Sequence, residues 1–104
     1  MVSAQTTEKV KQLIKTKPIF IASKTYCPYC SATKATINAI TKDAYILELD
    51  EEEDGAEIQE ALLELTGQRT VPNVFIGGQH IGGNSDVQAL KSAKKLDEKI
   101  KAVL

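Results

Sequence analysis

Between Pro18 and Leu49 the chain runs from an apolar stretch, through two closely spaced cysteines, into a helical stripe and then a second apolar stretch. No other feature restricts the possible folds as much. Pro18-Ile19-Phe20-Ile21-Ala22 is short, continuous and rich in β-branched and aromatic residues, the composition of a central strand covered on both faces. Pro28 suits the first turn of a helix, where its missing N–H costs little, and Ala32, Ala35, Ala39 and Ile40 continue a helical stripe. Ala44 to Leu49 reads as a second strand. Strand, helix and strand in that order imply a right-handed parallel crossover, so this segment is a βαβ unit with Cys27-Pro28-Tyr29-Cys30 at the mouth of its helix.

The flanking segments add to both sides of that unit. Ser3 is a possible N-cap for a first helix reaching Thr16, with Val10, Leu13 and Ile14 on its apolar face. The acidic run Asp50 to Asp54 leads into a third helix carrying Ile58, Ala61, Leu62 and Leu65, and Gly67 supplies a left-handed stop. Asn73 to Ile76, Gly77-Gly78 and Gln79 to Ile81 have the form of a β-hairpin. Gly82-Gly83 ends it, and Asn84, Ser85 or Asp86 is available to cap a last helical region, with a break at Lys94-Lys95. The fold class is α/β, a small mixed sheet with helices on both faces, and 104 residues with 42% hydrophobic content fit one domain spanning residues 1–104.

Two thiols separated by two residues can close a small disulfide ring, form half of a metal site, or act as nucleophile and resolving partner in thiol exchange. They are too close in sequence to staple distant parts of a secreted scaffold, which favours a reducing compartment. The first eight residues lack a basic cluster followed by an apolar core, and no run is long enough to span a bilayer, so a cytoplasmic location and no membrane partner are expected. Lys and Arg number 13 against 14 Asp and Glu, a balance that gives nucleic acid no attraction to the whole molecule. A structural zinc site lacks a second ligand pair, because His80 is the only histidine and is expected to point out of its hairpin strand. The same scarcity disfavours a hydrolytic triad.

Cys27 lies just before the first helical turn, where free N–H groups and the helix dipole favour a thiolate, and Lys24 can add positive charge. Cys30, one turn inside, suits a resolving role. The Val71-Pro72 bond precedes a strand and invites a bend or a cis peptide, and Val71 there can offer its N–H and C=O to an extended peptide. Gly82-Gly83-Asn84-Ser85-Asp86 combines close backbone access with a helix N-terminus able to hold a carboxylate.

Taken together, Lys24 to Cys30, Glu57-Ile58-Gln59, Gly67 to Pro72 and Ile81 to Asp86 closely resemble the dithiol glutaredoxins over nearly the whole chain. Thioredoxins, by contrast, usually carry a tryptophan before their cysteine pair, and this chain has none. The resemblance implies a thioredoxin-like fold with a four-stranded mixed sheet, and a cis Val71-Pro72 bond facing Cys27. It also implies glutathione as cosubstrate, with no tightly bound cofactor and no metal. Lys24 and Gln59, with Arg69 as accessory, would meet the glycine carboxylate; Tyr29 would pack along the tripeptide; Thr70, Val71 and Pro72 would line it. Ser85 and Asp86 would hold the γ-glutamyl end. The implied activity is reduction of protein–glutathione mixed disulfides and small disulfides by a monomer, using Cys27 and Cys30. The alternative is an iron–sulfur cluster carrier ligated by Cys27 and glutathione, against which Pro28 argues by stiffening the loop. A departure is the short Thr41-Lys42-Asp43 link, where many relatives carry a longer connection.

Overall fold

The computed structural model describes residues 2–104. Helix α1 (Ala4–Thr16) leads to strand β1 (Ile19–Ser23), helix α2 (Pro28–Asn38) and strand β2 (Tyr45–Glu48). A single 3-10 turn (Leu49–Glu51) then precedes α3 (Gly55–Thr66), the hairpin β3 (Asn73–Ile76) and β4 (Gln79–Gly82), and the helices α4 (Asn84–Ser92) and α5 (Leu96–Val103). The strands lie in the order β2-β1-β3-β4, with β1 parallel to β2, antiparallel to β3, and β3 antiparallel to β4. The parallel β1–α2–β2 connection expected from the sequence is therefore present.

Every residue of β1 is buried, as its continuous apolar run requires of a strand with helices on both faces. Alternation sends Phe20 and Ala22 to one side, where they pack with Val10 of α1, Ile58, Ala61 and Leu62 of α3, and Phe75. Ile19 and Ile21 face the other side, against Ile37 of α2, Val87 of α4, and Leu96 and Ile100 of α5. Each such aliphatic side chain contributes about 1.5–3 kcal/mol when fully buried. These two layers hold α2 and α4 side by side on one face of the sheet.

Local signals explain most element ends. Ser3 Oγ accepts the Thr6 N–H at 3.1 Å and starts α1, and Gly67, at φ 79°, stops α3 in the left-handed conformation. Gly77 and Gly78 both have positive φ at the hairpin tip. Lys94, at φ 61°, breaks the helical region between α4 and α5 near the expected point. Two readings shift. The cap of α4 is Gly83 rather than Asn84, Ser85 or Asp86, because the Asp86 carboxylate turns back to accept the Gly83 N–H at 2.9 Å. Helix α2 ends at Asn38, two residues before Ile40, and both Ala44 and Leu49, the expected ends of the second strand, stay outside β2.

Candidate active site

Three segments meet at one end of the sheet: the chain leaving β1, the loop entering β3 and the turn leaving β4. They bring Tyr29, Thr70, Val71, Pro72, Gly83, Asn84 and Ser85 around an open cleft of about 450 Å³, a size that suits a small peptide. The Val71-Pro72 bond is cis, and Cys27 Sγ lies 3.8 Å from the Val71 carbonyl oxygen. The thiol and the proline loop, 44 residues apart in sequence, thus share one wall.

Cys27 is the N-cap residue of α2, and its sulfur accepts the Cys30 N–H at 3.2 Å. An N–H aimed at sulfur in the first turn is a group that can stabilise a developing thiolate. The loop carrying Cys27 is tied to the 3-10 turn, where Asp50 accepts both the Thr25 N–H, at 3.0 Å, and the Thr25 hydroxyl. Those Thr25 bonds, with Lys24 adding charge, hold the Asp50 carboxyl below the usual carboxylate range. Their contribution is present above the ordinary carboxyl pKa and fades as pH falls through the depressed one.

Cys30 is fully buried. Burial is the largest cause of its raised thiol pKa, reinforced by the Cys27 side chain. The folded state therefore keeps this proton at a pH where an unfolded chain has begun to lose it. The associated stability of the reduced protein is complete below the ordinary thiol pKa and is lost as pH rises through the raised one. At neutral pH, iodoacetamide is expected to add one carbamidomethyl group to the native reduced chain, at Cys27, and a second only after denaturation. Mass spectrometry showing two groups on the native protein would contradict the inequality of the thiols.

The other predicted contacts are less uniformly gathered. Tyr29, Thr70, Val71, Pro72 and Ser85 line the cleft, whereas Lys24, Cys27, Gln59, Arg69 and Asp86 lie outside its lining, with Cys27 at its edge through the Val71 carbonyl. Gln59 Nε2 donates to the Arg69 carbonyl at 2.8 Å, and Arg69 reaches Glu60 at 3.3 Å. Asp86 is occupied on one oxygen by the Gly83 N–H. His80 is exposed, as expected, yet it leans over Phe75 with ring centroids 5.1 Å apart and meets Asn73 Oδ1 at 2.8 Å. Partial desolvation of the ring, one side of which packs on Phe75, pushes the His80 pKa down.

One residue of this site carried no role in the sequence reading. Gln68 Nε2 donates to the Thr70 carbonyl at 3.1 Å and to the Pro72 carbonyl at 3.0 Å, closing the loop that presents Val71. Its side chain also lies beside Gly83, where an added Cβ would come within 3.8 Å of Nε2. A glutamine immediately after a helix-stopping glycine and four residues before a proline carbonyl was the available signal. Among the described residues no group of three or more His, Cys, Asp or Glu side chains is arranged to hold a metal ion.

The sequence model of the family described as Glutaredoxin matches residues 19–81. Glutaredoxin-1 of Saccharomyces cerevisiae is 47% identical, over 100% of this chain and 98% of the relative, and a glutaredoxin of Ricinus communis is 50% identical, over 85% and 86%. The crystal structure of a buckwheat glutaredoxin–glutathione complex superposes with a TM-score of 0.91 at 44% identity, covering 95% of this chain and 90% of that one. The architecture is thioredoxin-like, shared with solved glutaredoxins such as a mutated buckwheat glutaredoxin (TM-score 0.92, 43% identity, 95% of this chain and 90% of that one).

Proposed function

Because this chain belongs to the glutaredoxin family, we infer that it is a glutathione-dependent thiol–disulfide oxidoreductase. It reduces protein–glutathione mixed disulfides and small disulfides with glutathione as electron donor and no tightly bound cofactor. The observation that carries this reading is the cleft between Tyr29, the Thr70-Val71-Pro72 loop and the first turn of α4, with Cys27 Sγ 3.8 Å from the Val71 oxygen.

In that cleft the glutathione half of a mixed disulfide lies extended, its cysteine backbone pairing with the N–H and C=O of Val71. Its γ-glutamyl carboxylate meets the free N–H groups at the start of α4, which begin at Asn84 and Ser85. The second oxygen of Asp86 is left to receive the glutamyl amino group. Lys24, with Gln59 and Arg69 near the outer end, attracts the glycine carboxylate. Tyr29, 67% exposed, provides a movable aromatic wall.

Cys27 as thiolate attacks the glutathionyl sulfur, the old S–S bond breaks, and the departing thiolate takes a proton from solvent. A glutathione thiolate then attacks the Cys27–glutathione disulfide, freeing Cys27 and forming glutathione disulfide. For a protein disulfide, Cys27 attacks first, and Cys30 then loses its proton and attacks the Cys27 sulfur. Reduced protein leaves, and the Cys27–Cys30 bond is reduced by two glutathiones.

No observation favours the cluster carrier, and Pro28 at the first position of α2 stiffens the loop against the approach of Cys27 to a metal. Residues 1–104 act as one glutaredoxin domain, a monomer in the reducing cytoplasm. There it transfers electrons between glutathione and glutathionylated or disulfide-containing proteins and so supports redox homeostasis. The neighbouring cysteine pair, unsuited to stapling a secreted scaffold, supports that address. The test is turnover of a small glutathione mixed disulfide coupled to glutathione reductase. Saturable turnover that requires glutathione is expected; none above the uncatalysed rate would overturn the assignment.

A further inference from the structure

Away from the thiols, α2 and α4 are joined by a hydrogen-bonded bridge. Thr33, in the middle of α2, is fully buried, and its hydroxyl donates to Asn84 Oδ1 at 2.9 Å. The same Asn84 oxygen accepts Gln88 Nε2 at 3.1 Å, and Gln88 Nε2 also reaches Thr36 Oγ1 at 2.9 Å. Two threonines one turn apart on the thiol helix are therefore tied to two amides one turn apart on α4. Burying a hydroxyl is costly unless it is bonded, and the partner of Thr33 lies 51 residues away in sequence.

The bridge ties the middle of α2 to the first turn of α4, and each helix presents its N-terminus to the site. Cys27 caps α2, and Asn84, the first residue of α4, lines the cleft. The apolar contacts beneath, Ile37 of α2 and Val87 of α4 within one cluster, hold the helices together without fixing how far one slides along the other. Hydrogen bonds are directional and do fix that offset.

We propose that the Thr33–Asn84–Gln88–Thr36 bridge is a positioning device that sets the first turn of α4 at the distance from Cys27 that a glutathionyl group spans. Thr33 and Gln88 touch no substrate; they act through Asn84. The bridge thereby governs selectivity for the γ-glutamyl residue, leaving the reactivity of the thiol alone. This rests on the assignment of the cleft to glutathione.

Two mixed disulfides of one fluorescent thiol test it, one glutathionyl and one cysteinylglycyl, the second lacking the γ-glutamyl residue. Single-turnover release of the thiol is measured in the Cys30→Ser background as maximal rate and half-saturating concentration. Thr33→Val is isosteric and removes only the hydroxyl donor. It is expected to raise the half-saturating concentration for the glutathionyl substrate by about 3- to 10-fold, the range for one net hydrogen bond, with the maximal rate within about twofold. The cysteinylglycyl substrate should shift by less than about twofold, so that the preference collapses. Gln88→Ala should act in the same direction, and Thr33→Ser should restore the parent values.

A parent with no preference for the glutathionyl substrate would overturn the glutathione assignment itself. If the parent prefers it and both Thr33→Val and Gln88→Ala keep that preference, the bridge has no positioning role. Equal losses on both substrates would overturn the proposal as well, because they mark general disruption, and thermal melts of each variant identify that case.

Discussion

Replacing Cys27 with serine is expected to reduce turnover of a glutathione mixed disulfide to the uncatalysed rate, whereas Cys30→Ser should retain it. The difference follows from position. Cys27 caps α2 with its sulfur at the cleft, while Cys30 is fully buried one turn inside. A serine hydroxyl at Cys27 would ionise far less readily than a thiol and could not form the mixed disulfide, so no partial route remains. Cys30 enters only when the disulfide joins two protein thiols. The Cys30→Ser variant should therefore lose reduction of such substrates and accumulate the Cys27-linked complex, visible on a non-reducing gel. Deglutathionylation by Cys27→Ser at a rate near the parent's would remove Cys27 from the mechanism.

The second large effect is on stability. Gly55 opens α3 directly against the preceding 3-10 turn, and a Cβ placed there would sit 1.8 Å from the Leu49 carbonyl oxygen. The obstacle is backbone, so no side-chain rotation relieves it. Gly55→Ala must push the turn away from α3 and is expected to cost about 3 kcal/mol, a lowering of the melting temperature by roughly 10 to 20 °C. The damage should reach the thiol loop, because the displaced turn carries Asp50, which holds Thr25 by its N–H and hydroxyl. Reduced activity is thus expected even at temperatures where the variant is folded. A melting temperature within 2 °C of the parent, on the order of a few tenths of a kcal/mol, would show that the turn yields easily.

Features set by near neighbours in the chain were legible in the sequence. Ser3 as a cap, Pro28 at a first turn, Gly67 as a stop and Gly77-Gly78 as a hairpin tip each act within a few residues, so local backbone chemistry identifies them. The paired thiols and the proline before β3 were equally visible, and the family resemblance joined them into one site. What escaped depends on distant partners. Nothing near Thr33 announces Asn84, and nothing near Thr25 announces Asp50. The shift of the α4 cap to Gly83 depended on how the Asp86 side chain would turn, which three plausible capping residues in a row left undecided. Gln59 and Arg69 were read as ligand contacts, but their side chains are engaged with the Arg69 carbonyl and Glu60, so substrate must compete for them.

Because the three site segments all meet at one end of the sheet, the other end carries none of the site's described residues. There the short Thr41-Lys42-Asp43 link comes close to Pro18, Tyr45 and the last residues of α5, around a shallow depression shared by Lys42, Asp43, Val103 and Leu104. Anchoring the protein through this pole, by a single bio-orthogonal group introduced at Lys42 for instance, would hold it on a support with its cleft turned to the solution. The asymmetry of a small fold thus supplies a natural geometry for an immobilised redox sensor.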